Sequence, residues 1–228
     1  MNIAIFGASG MVGQGALRVC LDDPGVARIV SIVRKPSGDA HPKLKQIAHA
    51  DFLDFSPIAG ELCEIDACLY CLGVASSGMN EADYTRVTYG FTVAAANTLI
   101  KLNPAMSFVF ISGVGADSSE RGRLMWARVK GRAENALLAM PFRSVCVFRP
   151  GMIQPLDGIE SKTPSYRFFY KYLGGLLLVL RKIWPSGVTT TEELGRAMLS
   201  AAKHGKEKRV VEAKEIREVL SSPISWAP

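Results

Sequence analysis

A glycine-rich turn between an apolar run and an amphipathic segment constrains this chain more than any other feature. The run from Ile3 to Phe6 is typical of a buried strand, and a helix is expected from Met11 to Leu21; between them lies the motif Gly7-Ala8-Ser9-Gly10-Met11-Val12-Gly13. In this context one glycine permits a tight turn, another lets backbone N–H groups approach a pyrophosphate, and the last lets the helix pack closely on the strand. The turn therefore predicts a dinucleotide-binding α/β fold. The alternative is a glycine turn in an α/β protein that binds no ligand.

Apolar runs alternate with helical patterns along the first 150 residues. The predicted strands are Ile3–Phe6, Arg28–Val33, Leu44–His49, Ala67–Leu72, Ser107–Ile111 and Ser144–Arg149, and the predicted helices are Met11–Leu21, Ala82–Leu102 and Leu124–Met140. Such alternation is typical of βαβ units with right-handed crossovers, which build a parallel sheet. With 228 residues and no linker, residues 1–228 are expected to form one Rossmann-type domain, a doubly wound parallel sheet with helices on both faces.

Residues 152–190 depart from this regularity and are expected to form a small C-terminal cap on the substrate side of the sheet. The centre of the segment contains the apolar run Leu173 to Leu180 between basic residues. That run is too short to span a bilayer. A buried cap helix with some loop is favoured, and a peripheral membrane or protein partner bound through residues 166–184 is the alternative.

Cysteine usage and charge limit the compartment and the partners. The five cysteines are an odd set in apolar contexts, which favours a reducing compartment; with no signal-like segment at the start, this predicts a cytoplasmic protein. Cys68 and Cys71 have C-x-x-C spacing, but strand alternation sends positions three apart to opposite faces, which disfavours a metal site. The net charge of +6 is spread along the chain, and its densest run, Lys203 to Arg209, includes an acid. No nucleic-acid partner is predicted.

The end of the second strand predicts which dinucleotide is preferred. NAD-selective folds place an acidic residue roughly twenty residues beyond the glycine turn, where it binds the ribose 2′-hydroxyl. This chain has Arg34 and Lys35 there, and a guanidinium can hold a 2′-phosphate through paired hydrogen bonds. NADP(H) is therefore favoured over NAD(H). The alternative is that both basic residues simply face solvent at the strand end.

Further cofactor contacts are expected at the ends of the third and fourth strands. Asp51 could accept a hydrogen bond from the adenine amine, with Phe52 close by. Leu72, Gly73 and Val74 end the fourth strand and are expected to pass beneath the adenosine ribose. These positions complete a predicted binding surface along the carboxyl ends of the strands.

Taken together, these segments resemble the short-chain dehydrogenase/reductase superfamily, in particular its atypical NAD(P)H-binding branch that includes the Tat-interacting oxidoreductases. The resemblance covers most of the chain. Its matching segments are residues 7–13, Val33-Arg34, Asp51, Phe110 to Ala116, Lys130-Gly131 with Glu134, Phe148 to Gly151, and Thr191 to Met198. The resemblance implies an oxidoreductase or epimerase-like enzyme for an unknown small substrate: a carbonyl, a quinone or a flavin-like acceptor. Cofactor contacts are expected from Pro150 and Gly151 as well.

The resemblance also implies a catalytic set, of which one member differs. In the superfamily a serine after the fifth strand polarises the substrate carbonyl, and a tyrosine four residues before a lysine donates the proton. Ser112 matches the serine and Lys130 the lysine, which also binds the nicotinamide ribose, but Trp126 occupies the tyrosine position. The i, i+4 spacing puts Trp126 and Lys130 on one helix face, and an indole N–H donates a hydrogen bond without supplying a proton.

The tryptophan leaves two functions open. The candidate replacement acids are Tyr84, Tyr89 and Tyr166. Ser112 could also be a strand-end hydroxyl that bonds to backbone, and Lys130 a surface lysine. The alternative to an enzyme is therefore a non-catalytic NADP(H)-sensing protein with a regulatory or assembly role.

Overall fold

The computed structural model describes residues 1–38, 40–156, 159, 187–205 and 208–221. Its strands are β1 (Asn2–Phe6), β2 (Arg28–Val33), β3 (Leu44–Ala48), β4 (Ala67–Tyr70), β5 (Ser107–Ile111), β6 (Ser144–Arg149), β7 (Met152–Gln154), β8 (Val188–Thr190) and β9 (Lys208–Glu212). Seven of them form a parallel sheet in the order β3-β2-β1-β4-β5-β6-β9. The chain reverses its direction of winding between β1 and β4, which opens a crevice at the carboxyl ends of those strands.

Helices cover both faces of the sheet. They are α1 (Met11–Asp22), α2 (Glu81–Thr85), α3 (Phe91–Leu102), α4 (Met125–Ala139), α5 (Thr191–His204) and α6 (Glu218–Ser221), with a π turn at Arg86–Gly90 and 3₁₀ turns at Ser56–Leu62 and Ala213–Glu215. One apolar core lies under α1 and α5, where a Cβ on Gly15 would lie 2.5 Å from the Thr191 carbonyl oxygen. The other core lies under α3 and α4. The prediction of a doubly wound α/β sheet is confirmed.

The structure adds elements that the hydrophobic pattern did not indicate. The six predicted strands agree with β1 to β6, while the predicted helix 82–102 consists of α2, the π turn and α3 in succession. β9 begins inside the basic segment and pairs with β6 at the edge of the sheet. The apolar residues of β9 are Val210 and Val211. Within the described residues β9 is an edge strand of the sheet and pairs with another strand, β6, along one side.

The described ends of the predicted cap form a small second sheet. β7 and β8 pair in parallel, with Met152 opposite Val188 and Gln154 opposite Thr190. The predicted surface 166–184, including Tyr166, lies outside the described residues. Within the part of the chain that is described, no helix is both long and apolar enough to cross a membrane.

All five cysteines are free thiols. Cys68 packs in the core under α3 and α4, whereas Cys71 packs against the core under α1 and α5. The two side chains therefore face opposite sides of the sheet, as strand alternation predicted. Among the described residues, no group of three or more histidine, cysteine or acidic side chains could hold a metal ion.

Candidate functional site

A cavity of about 1280 Å³ runs along the carboxyl ends of the parallel strands. Its walls come from the glycine turn after β1, from the ends of β2, β4, β5 and β6, and from the segment after β9. Open α/β sheets bind ligands at this crevice, and the volume exceeds the usual range for one drug-sized ligand. The cavity therefore has room for a dinucleotide together with a small second ligand.

At two positions of the glycine turn, Gly7 and Gly13, the neighbouring backbone leaves no space for a side chain. Gly7 has φ +78°, and a Cβ there would lie 2.7 Å from the Leu72 nitrogen; a Cβ on Gly13 would lie 2.1 Å from the Gly7 carbonyl oxygen. The Gly10 N–H donates to the same oxygen at 2.9 Å. Gly10 caps α1 and has no side chain to accept from the first-turn N–H groups, so those groups are open to an anion. The turn places Gly7, Ser9, Gly10, Met11 and Val12 on the cavity wall, whereas Gly13 is not among the described lining residues.

The β2 end of the cavity contains only some of the predicted adenosine contacts. Arg34 lines the cavity and is exposed, and Phe52 lines it as a buried ring beside Phe91. Lys35 and Asp51 are exposed and are not among the described lining residues. A carboxylate oxygen of Asp51 accepts from the backbone of its own turn instead. The prediction of an adenine contact from Asp51 thus has no support in this arrangement.

The floor of the cavity follows the end of β4. Leu72, Gly73 and Val74 line it as predicted, and Cys71 lines it as well. Burial raises the pKa of the Cys71 thiol, so the neutral thiol contributes an apolar surface. Cys71 directly precedes the predicted contacts, and its position at a strand end was the signal that could have identified it.

Lys130 projects from α4 into the cavity between the ends of β4 and β5. Its Nζ donates to the Ile111 carbonyl oxygen at 3.1 Å and lies 5.3 Å from the centre of the Phe110 ring; a Cβ on Gly73 would lie 3.9 Å from it. Burial lowers the pKa of Lys130 to about 8, and the nearby charge of Glu134 partly opposes that change. Lys130 is thus held in place, while its ammonium is less stable than that of a solvated lysine.

Ser112 lines the cavity at the end of β5 and is joined to a buried ion pair. Its Oγ donates to Oε1 of Glu134, a residue that is 0% exposed. The Arg149 Nε donates to the same oxygen at 3.1 Å, and its Nη2 donates to the other oxygen at 2.5 Å. Arg149 also binds Glu212 at 3.0 Å and the Ser118 hydroxyl at 2.7 Å. The hydrogen bonds that Arg149 donates to Glu134 raise the pKa of Arg149.

Glu134 and Arg149 were matched by resemblance, but the sequence assigned neither of them a role. Glu134 lies four residues after Lys130, one helical turn further along α4, and is therefore on the same face. Arg149 ends β6 beside the site. The helical spacing was a signal for Glu134, but its pairing with Arg149 depends on two elements, α4 and β6, that only the fold brings together.

Trp126 lies on α4 one turn before Lys130, as predicted, but it is not among the described residues that line the cavity. The far edge of its indole packs against Gly115 in the loop after β5, where a Cβ would lie 3.4 Å from Cη2. Tyr84 is buried, and Tyr89 lies under the Arg132 guanidinium, 4.3 Å from its carbon. Neither tyrosine is among the described lining residues.

A further set of lining residues lies beyond Ser112. Pro150 and Gly151, which were predicted as cofactor contacts, line the cavity here. The structure adds wall residues from β7, from the segment before β8, and from the end of β9 and the turn after it, which are Met152, Ile153, Gly187, Glu212, Ala213 and Lys214. These contacts are long-range in sequence, and no local motif indicated them.

Curated relatives of this chain are fungal proteins, although no family model matches it. It is 28% identical over 192 residues to protein fmp52, mitochondrial, from Aspergillus clavatus, covering 80% of each chain. It is 27% identical over 210 residues to the protein of the same name from Emericella nidulans, covering 88% of this chain and 86% of that one. A Candida albicans protein of that name is 25% identical over 157 residues, or 67% of each chain.

Solved structures share the fold at low identity. A short chain dehydrogenase family protein from Francisella tularensis superposes with a TM-score of 0.65 at 14% identity, covering 95% of this chain and 98% of that one. The UDP-N-acetylglucosamine 4-epimerase from Bacillus cereus gives 0.65 at 14% identity, over 93% and 77%. WbmH from Bordetella bronchiseptica, solved with NAD⁺, gives 0.63 at 14% identity, over 91% and 74%. The fold is that of short-chain dehydrogenases and sugar-nucleotide epimerases.

The relatives correct one expectation and leave another open. Cysteine usage predicted a cytoplasmic protein, but the three fungal relatives are named mitochondrial proteins, so that prediction is wrong. Free cysteines indicate a reducing environment rather than a particular compartment. The relatives carry the FMP52 name, and the closer resemblance to the Tat-interacting branch stays a prediction.

Proposed function

We propose that this chain is an NADP(H)-binding oxidoreductase of the atypical short-chain dehydrogenase/reductase type, acting on a small carbonyl compound or the corresponding alcohol. The observation that carries the proposal is a single cavity with the glycine turn and Arg34 towards one end and Ser112 with Lys130 towards the other. An epimerase-like reaction or a quinone or flavin-like acceptor would use the same cofactor end. Solved neighbours bind NAD in this fold, which supports a dinucleotide.

The residues present fit a dinucleotide along its whole length. The open N–H groups at the start of α1 suit the pyrophosphate, and Arg34 suits a 2′-phosphate. The apolar wall of Ile32 and Phe52 suits the adenosine. Lys130, held by the Ile111 carbonyl, is placed to donate to the nicotinamide ribose. When bound, the dinucleotide supplies hydride transfer.

The substrate end suits a small, mainly apolar molecule. Val114, Met152 and Ile153 give it apolar walls, while Glu212 and Lys214 add one acidic and one basic group. Ser112, the serine that the resemblance places at the substrate carbonyl, lines the same cavity. These features support a small alcohol or carbonyl over a large polar substrate such as a sugar nucleotide.

NADP(H) preference is tested by calorimetry with NADPH and NADH on the parent protein and two variants. Arg34→Ala is expected to lower NADPH affinity about tenfold, since it removes a charge-assisted contact at an exposed site. NADH affinity should change little. Lys35→Ala is the matched control, because Lys35 is adjacent and exposed but does not line the cavity. Equal affinities of the parent for the two dinucleotides would contradict the proposal.

A second candidate function is a non-catalytic NADP(H)-sensing protein. The position of Trp126 outside the cavity lining favours it, because no phenol stands in the place of the superfamily's acid. NADPH consumption over a panel of aldehydes, ketones and quinones, and NADP⁺ reduction over alcohols, separates the two functions. Tight NADPH binding without turnover in either direction would favour the sensing protein.

A further inference from the structure

The hydroxyl proton of Ser112 is already donated inside the protein. A serine hydroxyl has one donor and two acceptor lone pairs, and an ionised carboxylate only accepts. The carboxyl group of Glu134 accepts from Ser112 and twice from Arg149, and arginine has no acceptor. Glu134 is therefore ionised here, and Ser112 offers the cavity lone pairs rather than a proton. This is the opposite of the carbonyl-polarising role that the resemblance implies.

We propose, resting on the proposed function, that Ser112 and Glu134 form a proton acceptor that serves in place of the tyrosine missing at position 126. With an oxidised dinucleotide bound to take up hydride from the substrate carbon, the substrate O–H proton would pass to Ser112 Oγ. The proton already on Ser112 passes to Glu134 Oε1. The products are a carbonyl compound, the reduced dinucleotide and a protonated Glu134, so atoms and electrons balance.

Three charged groups lie close enough to Glu134 to act on this transfer. Arg149 approaches from β6, Lys130 lies one turn away on α4, and Glu212 binds the other side of Arg149 at 3.0 Å. The two cations stabilise the carboxylate and so oppose proton uptake. Glu212 keeps Arg149 paired when Glu134 takes up a proton, which limits that cost, because a buried cation left without a partner is costly.

The site as it stands is therefore arranged to accept the proton of a hydroxyl substrate. In the reverse reaction, carbonyl reduction, the same relay would return the proton from Glu134 through Ser112. In this arrangement Ser112 is the catalytic residue that touches substrate, and Glu134 acts through it.

The test compares the parent with Ser112→Ala, Ser112→Thr and Glu134→Gln over a panel of small secondary alcohols with NADP⁺. Ser112→Ala should lower kcat about 10²–10⁴-fold with unchanged NADP⁺ affinity, and Ser112→Thr should restore most of it because threonine keeps the hydroxyl. Glu134→Gln should lower kcat to a similar degree. Should Glu134→Gln fail to fold, Ser112→Ala still decides, since it leaves the pair of Glu134 and Arg149 intact.

A second readout needs no turnover. Infrared difference spectra of the cofactor-free protein at neutral pH, referenced to Glu134→Gln, should show an ionised carboxylate whose band shifts in Ser112→Ala. A protonated Glu134, or equal kcat for the parent and Ser112→Ala, would overturn the proposal that Ser112 and Glu134 form a proton acceptor. The proposed function would still stand in that case. Absence of NADP(H) binding to the parent protein is instead the failure of the proposed function, and the infrared result then decides on the pair alone.

Discussion

Lys130 allows a quantitative test of the electrostatics of the site, because it is a cation held in an apolar wall. Its Nζ has the Ile111 carbonyl and the Phe110 ring as neighbours, and burial lowers its pKa from 10.5 to about 8. Lys130→Met replaces the side chain with an apolar one of similar length. The substitution should remove the cost of burying the charge while leaving the packing largely unchanged.

The magnitude follows from the change in pKa. At 1.36 kcal/mol per unit, the charged form costs the folded state about 3 kcal/mol relative to a solvated lysine. Below pH 8 both folded and unfolded chains carry the proton, and the full cost applies. Between pH 8 and 10.5 the unfolded chain binds more protons, so this group makes the parent more stable as pH rises. The methionine variant also lacks the hydrogen bond to Ile111, a loss of about 1 kcal/mol.

We expect Lys130→Met to be about 2 kcal/mol more stable than the parent at pH 7 and slightly less stable at pH 10.5. Urea unfolding of both proteins at closely spaced pH values measures the difference, in which the titration of other groups cancels. Lys101→Met, at an exposed position on α3, is the control for loss of a lysine. A difference in the free energy of unfolding between Lys130→Met and the parent that stays constant from pH 7 to 10.5 would contradict this prediction.

Two further substitutions test the cofactor turn and the proton donor. Gly10→Val should abolish NADPH binding in calorimetry while the fold is retained, because Gly10 lines the cavity at an ordinary φ of −86°. Gly38→Val is the control, since a Cβ at that position has no neighbouring atom within 4 Å. Retained NADPH affinity in Gly10→Val would place the cofactor elsewhere. Trp126→Tyr should raise NADPH-dependent carbonyl reduction by up to about 10²-fold over Trp126→Phe, with substrate binding measured in parallel; equal rates would show that the hydroxyl adds nothing.

The sheet was predictable where its determinants are local. The first six strands are apolar runs between turn residues, and their predicted bounds agree with the structure to within two residues. β9 was missed because its only apolar residues are Val210 and Val211, and its strand conformation depends on hydrogen bonds to β6. Those bonds join positions far apart in sequence, which a local pattern does not contain.

The residues of the site were likewise predictable only where their determinants are local in sequence. The glycine turn was predictable because a strand, three glycines and a helix are consecutive, and the structure shows that two of the glycines leave no space for a Cβ. Asp51 was expected to bind adenine from its position after β3; one of its carboxylate oxygens accepts from its own turn, and the adenine contact stays a prediction. Spacing identifies the strand end from which a side chain projects, and local backbone donors then decide where it is directed.

Trp126 and Ser112 together decide which group in the site can exchange a proton with the substrate. A site with a phenol can give or take a proton near neutral pH when a lysine ammonium lowers the phenol pKa. This cavity has no phenol among its described lining residues, while its serine hydroxyl is bound to an ionised carboxylate. Such a site can pass a proton from a hydroxyl substrate to Glu134, but the pairing with Arg149 makes that carboxylate a weak base. Adding a tyrosine at position 126 should therefore increase both carbonyl reduction and alcohol oxidation, and the size of the increase measures how far the pair of Ser112 and Glu134 already replaces it.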